Sequence, residues 1–431
     1  MSAPTQATTT AGFAAAARAP GGNLPAPAAA SSGLPEFTPP PPSRTPQLLR
    51  RLQAVTALVL LVLGGVGTLL ITQQGSDLES APRLAAQAAR LGEVQTRLLG
   101  AATLAAEGVL KGDGATTSQA TAAGTRVGES VGLLVEAATA RPQDAAALAT
   151  LSREVIAYGI TLRAADGRDT ATARDLLDKA GKQLDDRVLP DLATLEQALA
   201  SEASAETLGW AFVMPVLGFA TAAFLVWVSW VIAQRSRRVL NLGLVGALVA
   251  VLVITWVTVA AQQSTAVATG QSRGVQFTRV TGLNEASTQA DTARRLQAEA
   301  LLARNWPATT AKAVTSALDA AEKATDPNAA RSALADYRKA DSALAALMAK
   351  ADWAAANKLA LSSDKTAVTA TSSVFQKTIA EGRTAATTAA ADAAEEVRVG
   401  LPWQLAAVIL ASLVGAGLAV AGLAQRLVEY R

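Results

Sequence analysis

Four uncharged apolar runs, residues 52–72, 209–233, 239–261 and 403–425, constrain this chain more than any other feature. Each supplies about the 20 residues that a helix needs to cross a hydrocarbon core, where backbone polar groups must be satisfied within the segment itself. Their spacing is as restrictive as their composition. The second and third runs nearly touch, whereas residues 73–208 and 262–402, both polar and rich in alanine, separate the members of the outer pairs. The pattern predicts four transmembrane helices carrying two similar modules outside the bilayer.

An apolar fraction of 50% with only 17% charged residues is too greasy for an ordinary soluble domain of this length. The chain contains no cysteine, which excludes disulfides and thiolate metal sites, and no histidine. Without histidine, the commonest general base, metal ligand and phospho-accepting ring are all missing. No phosphate-cradling glycine loop, paired catalytic carboxylates or metal-binding helix motif stands out. The expectation is a protein that is not an enzyme and holds no cofactor or metal.

Orientation follows from basic residues, because Lys and Arg resist translocation far more than acids do. Arg18, Arg44, Arg50 and Arg51 precede the first run, Arg235, Arg237 and Arg238 fill the turn at 234–238, and Arg426 and Arg431 follow the last run at 426–431. These nine basic residues face two acids, Glu36 and Glu429, while the intervening loops carry a net negative charge. All of these segments are therefore expected in the cytoplasm of a cell, with both termini inside a multi-pass plasma membrane protein. Its net positive charge reads as attraction to anionic membrane lipid, not to nucleic acid.

Residues 1–47 show almost no apolar periodicity, and Thr38-Pro39-Pro40-Pro41-Pro42 favours extended polyproline geometry. This arm is expected to be disordered. It lacks the basic start and cleavage context of a secretory signal, so the first span is expected to serve as an uncleaved anchor. Each outer module reads as four helices. Breaks at Lys111-Gly112-Asp113-Gly114, Arg141-Pro142 and Asp166-Gly167-Arg168-Asp169 divide the first. Trp306-Pro307, Asp326-Pro327 and the stretch from Lys350 to Asp352 divide the second. Leu84, Ala88, Leu91, Val94 and Leu98 recur at three- and four-residue steps, the signature of one buried helical face. With no alternating strand pattern, the fold class is all-α: four transmembrane helices and two extracytoplasmic four-helix bundles in tandem. No strong breaker divides residues 191–208 from the second span, and residues 353–398 run nearly to the fourth, so outer and membrane helices are expected to be continuous, with Gly400 and Pro402 weakening this at the fourth span.

Tyr158 through Arg163, the segment Arg187-Val188-Leu189-Pro190, and Asp352-Trp353-Ala354-Ala355-Ala356 leading into a long alanine-rich helix are the local pointers to a known plan. The chain resembles the four-helix sensor modules of bacterial chemoreceptors, used twice, and more specifically the actinobacterial GlnX-type membrane proteins. That resemblance implies a signal relay coupling an extracytoplasmic amino-acid-binding lipoprotein to a soluble cytoplasmic Ser/Thr kinase. Ala164-Ala165-Asp166 departs from the polar residues expected after Arg163 in that family. Fewer than 65 residues face the cytoplasm on this reading, and none form a recognisable output domain, so any signal must pass to another protein.

For docking, the sequence offers Arg304, Trp306 and Trp353, which the up-down order brings to the membrane-distal end of the second module, either as one exposed aromatic patch or as caps on its core. Asp185-Asp186-Arg187 reads as a solvated surface. Within the spans, Ala411, Gly415 and Ala419 lie four apart, and Gly64, Gly65 and Thr68 offer a similar small-residue face. These suit close helix packing within the chain, with a homodimer as the alternative use. No ionisable residue interrupts a span, which argues against an ion pathway. A scaffold or membrane subunit of a transporter complex is the second functional class, separable from a relay by the polar pore-lining positions it would need.

Overall fold

The computed structural model describes residues 45–111, 116–204, 212–236, 241–325, 330–362 and 364–429. The proline-rich arm, the breakers at 112–114 and 326–328, and the junction at Trp210 lie outside them. Every described element is helical and no strand occurs among the described residues. In chain order these are α1 (Thr45–Lys111), α2 (Thr116–Ala140), α3 (Ala145–Ala164), α4 (Thr170–Gln183), α5 (Leu189–Ser204), α6 (Val213–Ser236), α7 (Leu242–Thr269), α8 (Phe277–Ala303), α9 (Ala308–Ala324), α10 (Arg331–Ala349), α11 (Trp353–Leu361), α12 (Val368–Arg398) and α13 (Leu401–Glu429). One wide turn of π-helix, Leu184–Val188, joins α4 to α5, and another, Gly270–Gln276, joins α7 to α8.

Buried side chains fall into three clusters. The first gathers the later part of α1 with α2, α3, α4 and α5 around Leu91, Leu98, Leu134, Tyr158, Leu184 and Leu192. The second gathers α8 to α12 around Leu283, Leu318, Tyr337, Leu344 and Phe375. A third, apolar cluster joins the early part of α1 with α6, α7 and α13, is mainly aliphatic, and includes Leu60, Leu63, Val228, Ile254 and Val408. The first and second clusters share a detail. The Tyr158 hydroxyl on α3 donates to the Leu98 carbonyl of α1 at 3.2 Å, and the Tyr337 hydroxyl on α10 donates to the Ala290 carbonyl of α8 at 3.3 Å. In each, the third helix anchors a buried ring on the backbone of the first, which satisfies the one polar atom the ring would otherwise strand in the core.

The junction of residues 191–208 with the second span lies outside the described residues, and the break before the fourth span falls at Gly400. Among the described residues, α1, 67 residues long, and the run α7–α8 are uninterrupted, so two apolar segments are continuous with the helices that begin each polar cluster. At the end of the second cluster, α12 stops at Arg398 and α13 restarts at Leu401, with Gly400 between them bonding back to the Val397 carbonyl. α1 passes through Pro82 without a break, because Leu78 and Ala81 beside it are both fully buried and offset the missing hydrogen bond. Residues 353–398 are not one helix either. Ser362 and Ala367 are extended, the Ser362 hydroxyl accepts the Asp364 N–H, and Thr369 donates to the Ala360 carbonyl at 2.7 Å, a local turn that competes with the helix and separates α11 from α12.

Among the described residues five helical stretches, against the four expected, are long and apolar enough to cross a membrane. The additional one, Pro142–Ala164, contains α3. Its inner face, Leu148, Leu151, Val155, Tyr158 and Leu162, is buried in the first cluster, and Arg153 and Glu154 lie mid-helix. It qualifies because alanines and isoleucines also cover its outer face.

In the aliphatic cluster, small residues set the approach of the helices. A methyl group at Gly243 would lie 2.4 Å from the Leu418 carbonyl and 2.6 Å from Gly422 Cα. One at Gly64 would lie 2.4 Å from Ser412 Cβ, and one at Gly415 would lie 2.6 Å from Ala250 Cβ. Ala419 is fully buried, whereas Gly65 faces open space. Asn241 caps α7 by accepting the Gly243 N–H, and its amide donates to the Gly422 carbonyl at 3.2 Å, fastening the start of α7 to the end of α13.

Candidate functional site

The polar chemistry of this molecule concentrates on α8. Of its 27 residues, 15 are buried, including Asn284, Ser287, Thr288, Asp291, Arg295 and Gln297. Asn284, Thr288, Asp291 and Arg295 follow one another at steps of four, three and four, so helical geometry aligns them along one side. α1 lies against that side and carries its own polar series. The Asn284 amide donates to the Ala88 carbonyl at 2.7 Å, Thr96 and Ser287 share a 2.8 Å hydroxyl contact, and Thr288 donates to Gln95 at 2.8 Å. Gly92 is what lets the two helices meet, since a methyl group there would sit 2.0 Å from Asn284 Cγ.

Further along, the seam becomes charged. Arg294 bonds Glu107 of α1 at 2.7 Å and Ser372 of α12 at 3.0 Å, with its guanidinium and the Glu107 carboxylate both nearly excluded from solvent. Asp291 accepts from Gln376 of α12 at 2.9 Å through Oδ1, while Oδ2 is buried without a partner. Arg294, Arg126 of α2 and Arg383 of α12 supply the surrounding positive charge. Burial nevertheless dominates and pushes the Asp291 carboxyl up to about 7. Burial and the charge of Arg294 lower the proton affinity of Arg126, which fits a notch left by Gly100, where a methyl group would lie 2.0 Å from its Nη1.

One ion pair crosses from the second cluster to the far side of the first. Arg295 grips Asp185, in the π turn between α4 and α5, with two parallel bonds of 2.8 and 2.9 Å. Asp185, Asp186 and Arg187 are all exposed, in keeping with the surface reading, and Asp185 in addition pairs from the π turn with a partner 110 residues away in sequence. Beside that pair lies a cleft of about 520 Å³ between the clusters, lined by Tyr158, Arg174, Asp178, Glu299 and Asn305 among others. Burial, reinforced by Asp185 and Asp178 and opposed by Arg295, holds the Glu299 carboxyl above its usual range.

The docking candidates sit elsewhere. Arg304 is exposed and closes α8 in a left-handed conformation, with φ at 48°. Trp306 and Trp353 are half-buried, and both pack on the core of the second cluster. Among the described residues the ring pair in contact is Phe224 with Trp227, so the two outer tryptophans do not stack on each other. Arg50 and Arg51 are exposed near the start of α1. Arg237 and Arg238 lie outside the described residues, as does the side chain of Arg235. Ala411 packs against the aliphatic cluster alongside the buried Ala419.

The seam itself escaped sequence reasoning, in which only Asp185-Asp186-Arg187 was weighed as a charged group. The available signal was the four-three-four polar series on α8 matched by Gln95, Thr96 and Glu107 on α1. Among the described residues no group of three or more acidic side chains is placed to hold a metal ion. Comparisons with protein-family models, with curated proteins and with solved structures find no match for this chain. What fold and seam define is an all-helical protein with helices long and apolar enough to cross a membrane and a buried polar contact between its two non-apolar clusters.

Proposed function

We propose that this chain is a non-enzymatic signal relay of the plasma membrane, with four spans, two extracytoplasmic bundles, and both termini in the cytoplasm. On this reading the early part of α1, with α6, α7 and α13, occupies the bilayer, and the helical clusters are the outer bundles. The signal is an extracytoplasmic one, an amino acid delivered by a binding lipoprotein, and the recipient is a cytoplasmic Ser/Thr kinase. The observation that carries the proposal is that α1 and α7–α8 run without interruption from the aliphatic cluster into the polar seam, where they lie side by side. A shift of one helix against the other at the seam is then a shift at their opposite ends, the small-displacement repertoire of switching proteins. Hydrogen bonds between hydroxyls and amides suit such a shift, because they can be exchanged at low cost for neighbouring partners.

Crosslinking in native membranes followed by mass spectrometry tests this reading. Recovery of a lipid-anchored binding protein on one face and a soluble kinase on the other is the expected result. Recovery of an ATP-binding transporter subunit instead would replace the relay with the transporter-scaffold reading. Because the chain has no cysteine, a disulfide placed at Thr96 and Ser287 provides a second arm. Locking the seam should abolish the ligand-dependent change in kinase phosphorylation and leave insertion unaltered.

A further inference from the structure

We propose that the outer face formed by α2 and α3 is a contact between two copies of this chain. α3 carries apolar residues on both sides, with Arg153 and Arg163 the charged residues of its exposed side. Its inner face is buried, and its outer face presents Ile156 and Ile160, 47% and 67% exposed, among the exposed Ala149, Ala157 and Ala164. The two isoleucines leave apolar area in water beside those arginines, and none of the described residues covers this side. Beside it on α2, Val135 is 56% exposed, and Gly124, Gly128 and Gly132 repeat every four residues with nothing within 4 Å of an added methyl group. The face therefore holds a ridge of isoleucines and, next to it, a shallow groove.

A ridge and a matching groove on one patch are what a two-fold contact requires, because each copy then supplies both halves. The membrane placement proposed above, on which this inference rests, fixes the geometry further. Two copies inserted the same way are related by an axis along the membrane normal, which keeps every residue at its own height and lays α3 of one copy over α2 of the other. A methyl at Gly159 would lie 2.7 Å from Val127, so these two residues are level on the antiparallel α3 and α2. Ile156 and Ile160 are thus at the height of Gly128, and the ridge of each copy meets the groove of its partner.

Charge agrees with the same arrangement. Arg153 lies at the far edge of the α3 ridge and Glu136 at the far edge of the α2 groove, within one helical turn of each other in height. The two-fold brings these edges together between copies. Within the chain Arg153 bonds only Thr150, at 3.1 Å, and neither it nor Glu136 has an ion-pair partner among the described residues. Two helices of this length present a face of about 30 by 20 Å, or roughly 600 Å² per copy, at the lower edge of specific interfaces. Anchoring in a shared membrane compensates for that modest area by confining both copies to two dimensions.

The cysteine-free background makes the test direct. Two differently tagged copies, one with Gly128→Cys and one with Ile160→Cys, are expressed together, and membranes are oxidised without detergent. The mixed disulfide should form at least fivefold above that of a control pairing Gly128→Cys with Val374→Cys, which is exposed on α12. Arg153→Glu and Glu136→Arg, each introduced into both copies, should lower the yield at least threefold, and the two together should restore it. A mixed pair no better than the control, or a yield unmoved by either charge reversal, overturns the proposal. Labelling of Val374→Cys, which lies outside the contact, by an impermeant maleimide on intact cells reports the membrane placement separately, so that failure of the contact and failure of the topology are told apart.

Discussion

Replacing Asp291 with asparagine should flatten the pH dependence of stability, and the seam fixes how strongly. The carboxyl is 5% exposed, its Oδ2 has no partner, and three arginines from three helices, Arg126, Arg294 and Arg383, face it. Glu107 on α1 is already committed to Arg294. Burial raises Asp291 from the ordinary 3.8 to about 7. A raised carboxyl holds a proton in the folded state that the unfolded chain has already released. The stability this contributes is therefore fully present below the unfolded value and is lost as pH rises through the folded one. Its full extent is about 4 kcal/mol, at about 1.4 kcal/mol per pH unit in between. Between pH 5 and pH 8 the wild type should thus lose about 3 kcal/mol that Asp291→Asn retains. Denaturant unfolding of the full chain in lipid nanodiscs, followed by tryptophan fluorescence at pH 5, 6, 7 and 8, measures the difference. Burial also raises Glu196 to about 7 and Asp341 to about 6, but both remain in the variant and cancel in the comparison. Superimposable profiles for the two proteins would refute the assignment of a buried, proton-holding carboxyl to the seam.

Three further outcomes probe the packing. Gly92→Ala should destabilise by about 1 to 2 kcal/mol net, overpacking against Asn284 outweighing about 1 kcal/mol of helix propensity, and should turn stabilising in an Asn284→Ala background; denaturant midpoints of the four proteins decide it. A double-mutant cycle on Arg295→Ala and Asp185→Ala should give a coupling of about 1 to 2 kcal/mol, since the paired carboxylate is half-exposed and partly screened; additive effects would mean the π turn and α8 are not coupled. Gly243→Ala should cost about 1 to 3 kcal/mol, because the obstructing Leu418 carbonyl is backbone and cannot rotate away, while Gly65→Ala should leave thermal stability in nanodiscs unchanged or raised.

The all-helical class and the apolar segments were legible because their signals are local. Twenty uncharged apolar residues, a proline after Arg141, and leucines at helical spacing each speak for their own segment. The polar seam was less legible because it depends on which helices become neighbours. Asn284 on one helix and the Ala88 carbonyl on another are 196 residues apart, and a polar side chain in a sequence looks the same whether it faces water or a partner. The docking candidates suffered similarly. Trp306 and Trp353 sit at helix boundaries as expected, yet their rings lean onto the core of the second cluster, a preference for apolar surface that spacing alone does not encode. That α3, expected as a bundle helix, is also long and apolar enough to cross a membrane was not read for a different reason: its three charged residues, Arg153, Glu154 and Arg163, interrupt the apolar run, and its outer apolar residues matter only once the inner face is seen to be occupied.

The two π turns deserve comparison, since they mark where the regular helical register is reset. Gly270–Gln276 lies between α7 and α8, and there Ser272 is buried and donates to the Ala390 carbonyl at 2.9 Å while Arg273 reaches Ser80 of α1 at 2.8 Å. Leu184–Val188 holds the carboxylate that Arg295 grips from α8. One end of α8 is thus a wide turn tied to α1 and α12, and its middle is tied to a second wide turn in the first cluster. A π turn carries one more residue per turn than its neighbours and exchanges that surplus with them at modest cost. Rotation of α8 can therefore be absorbed at Gly270–Gln276 without breaking α7, whereas α1, which has no such turn in its 67 residues, must move as a rod. In the relay reading this makes α1 the element that transmits and α8 the element that adjusts. Inserting one alanine next to Gly92 in α1 should then disturb both the seam and the aliphatic packing around Leu63, while the same insertion beside Gly274 should be tolerated; equal loss of folded protein from both insertions would refute that division.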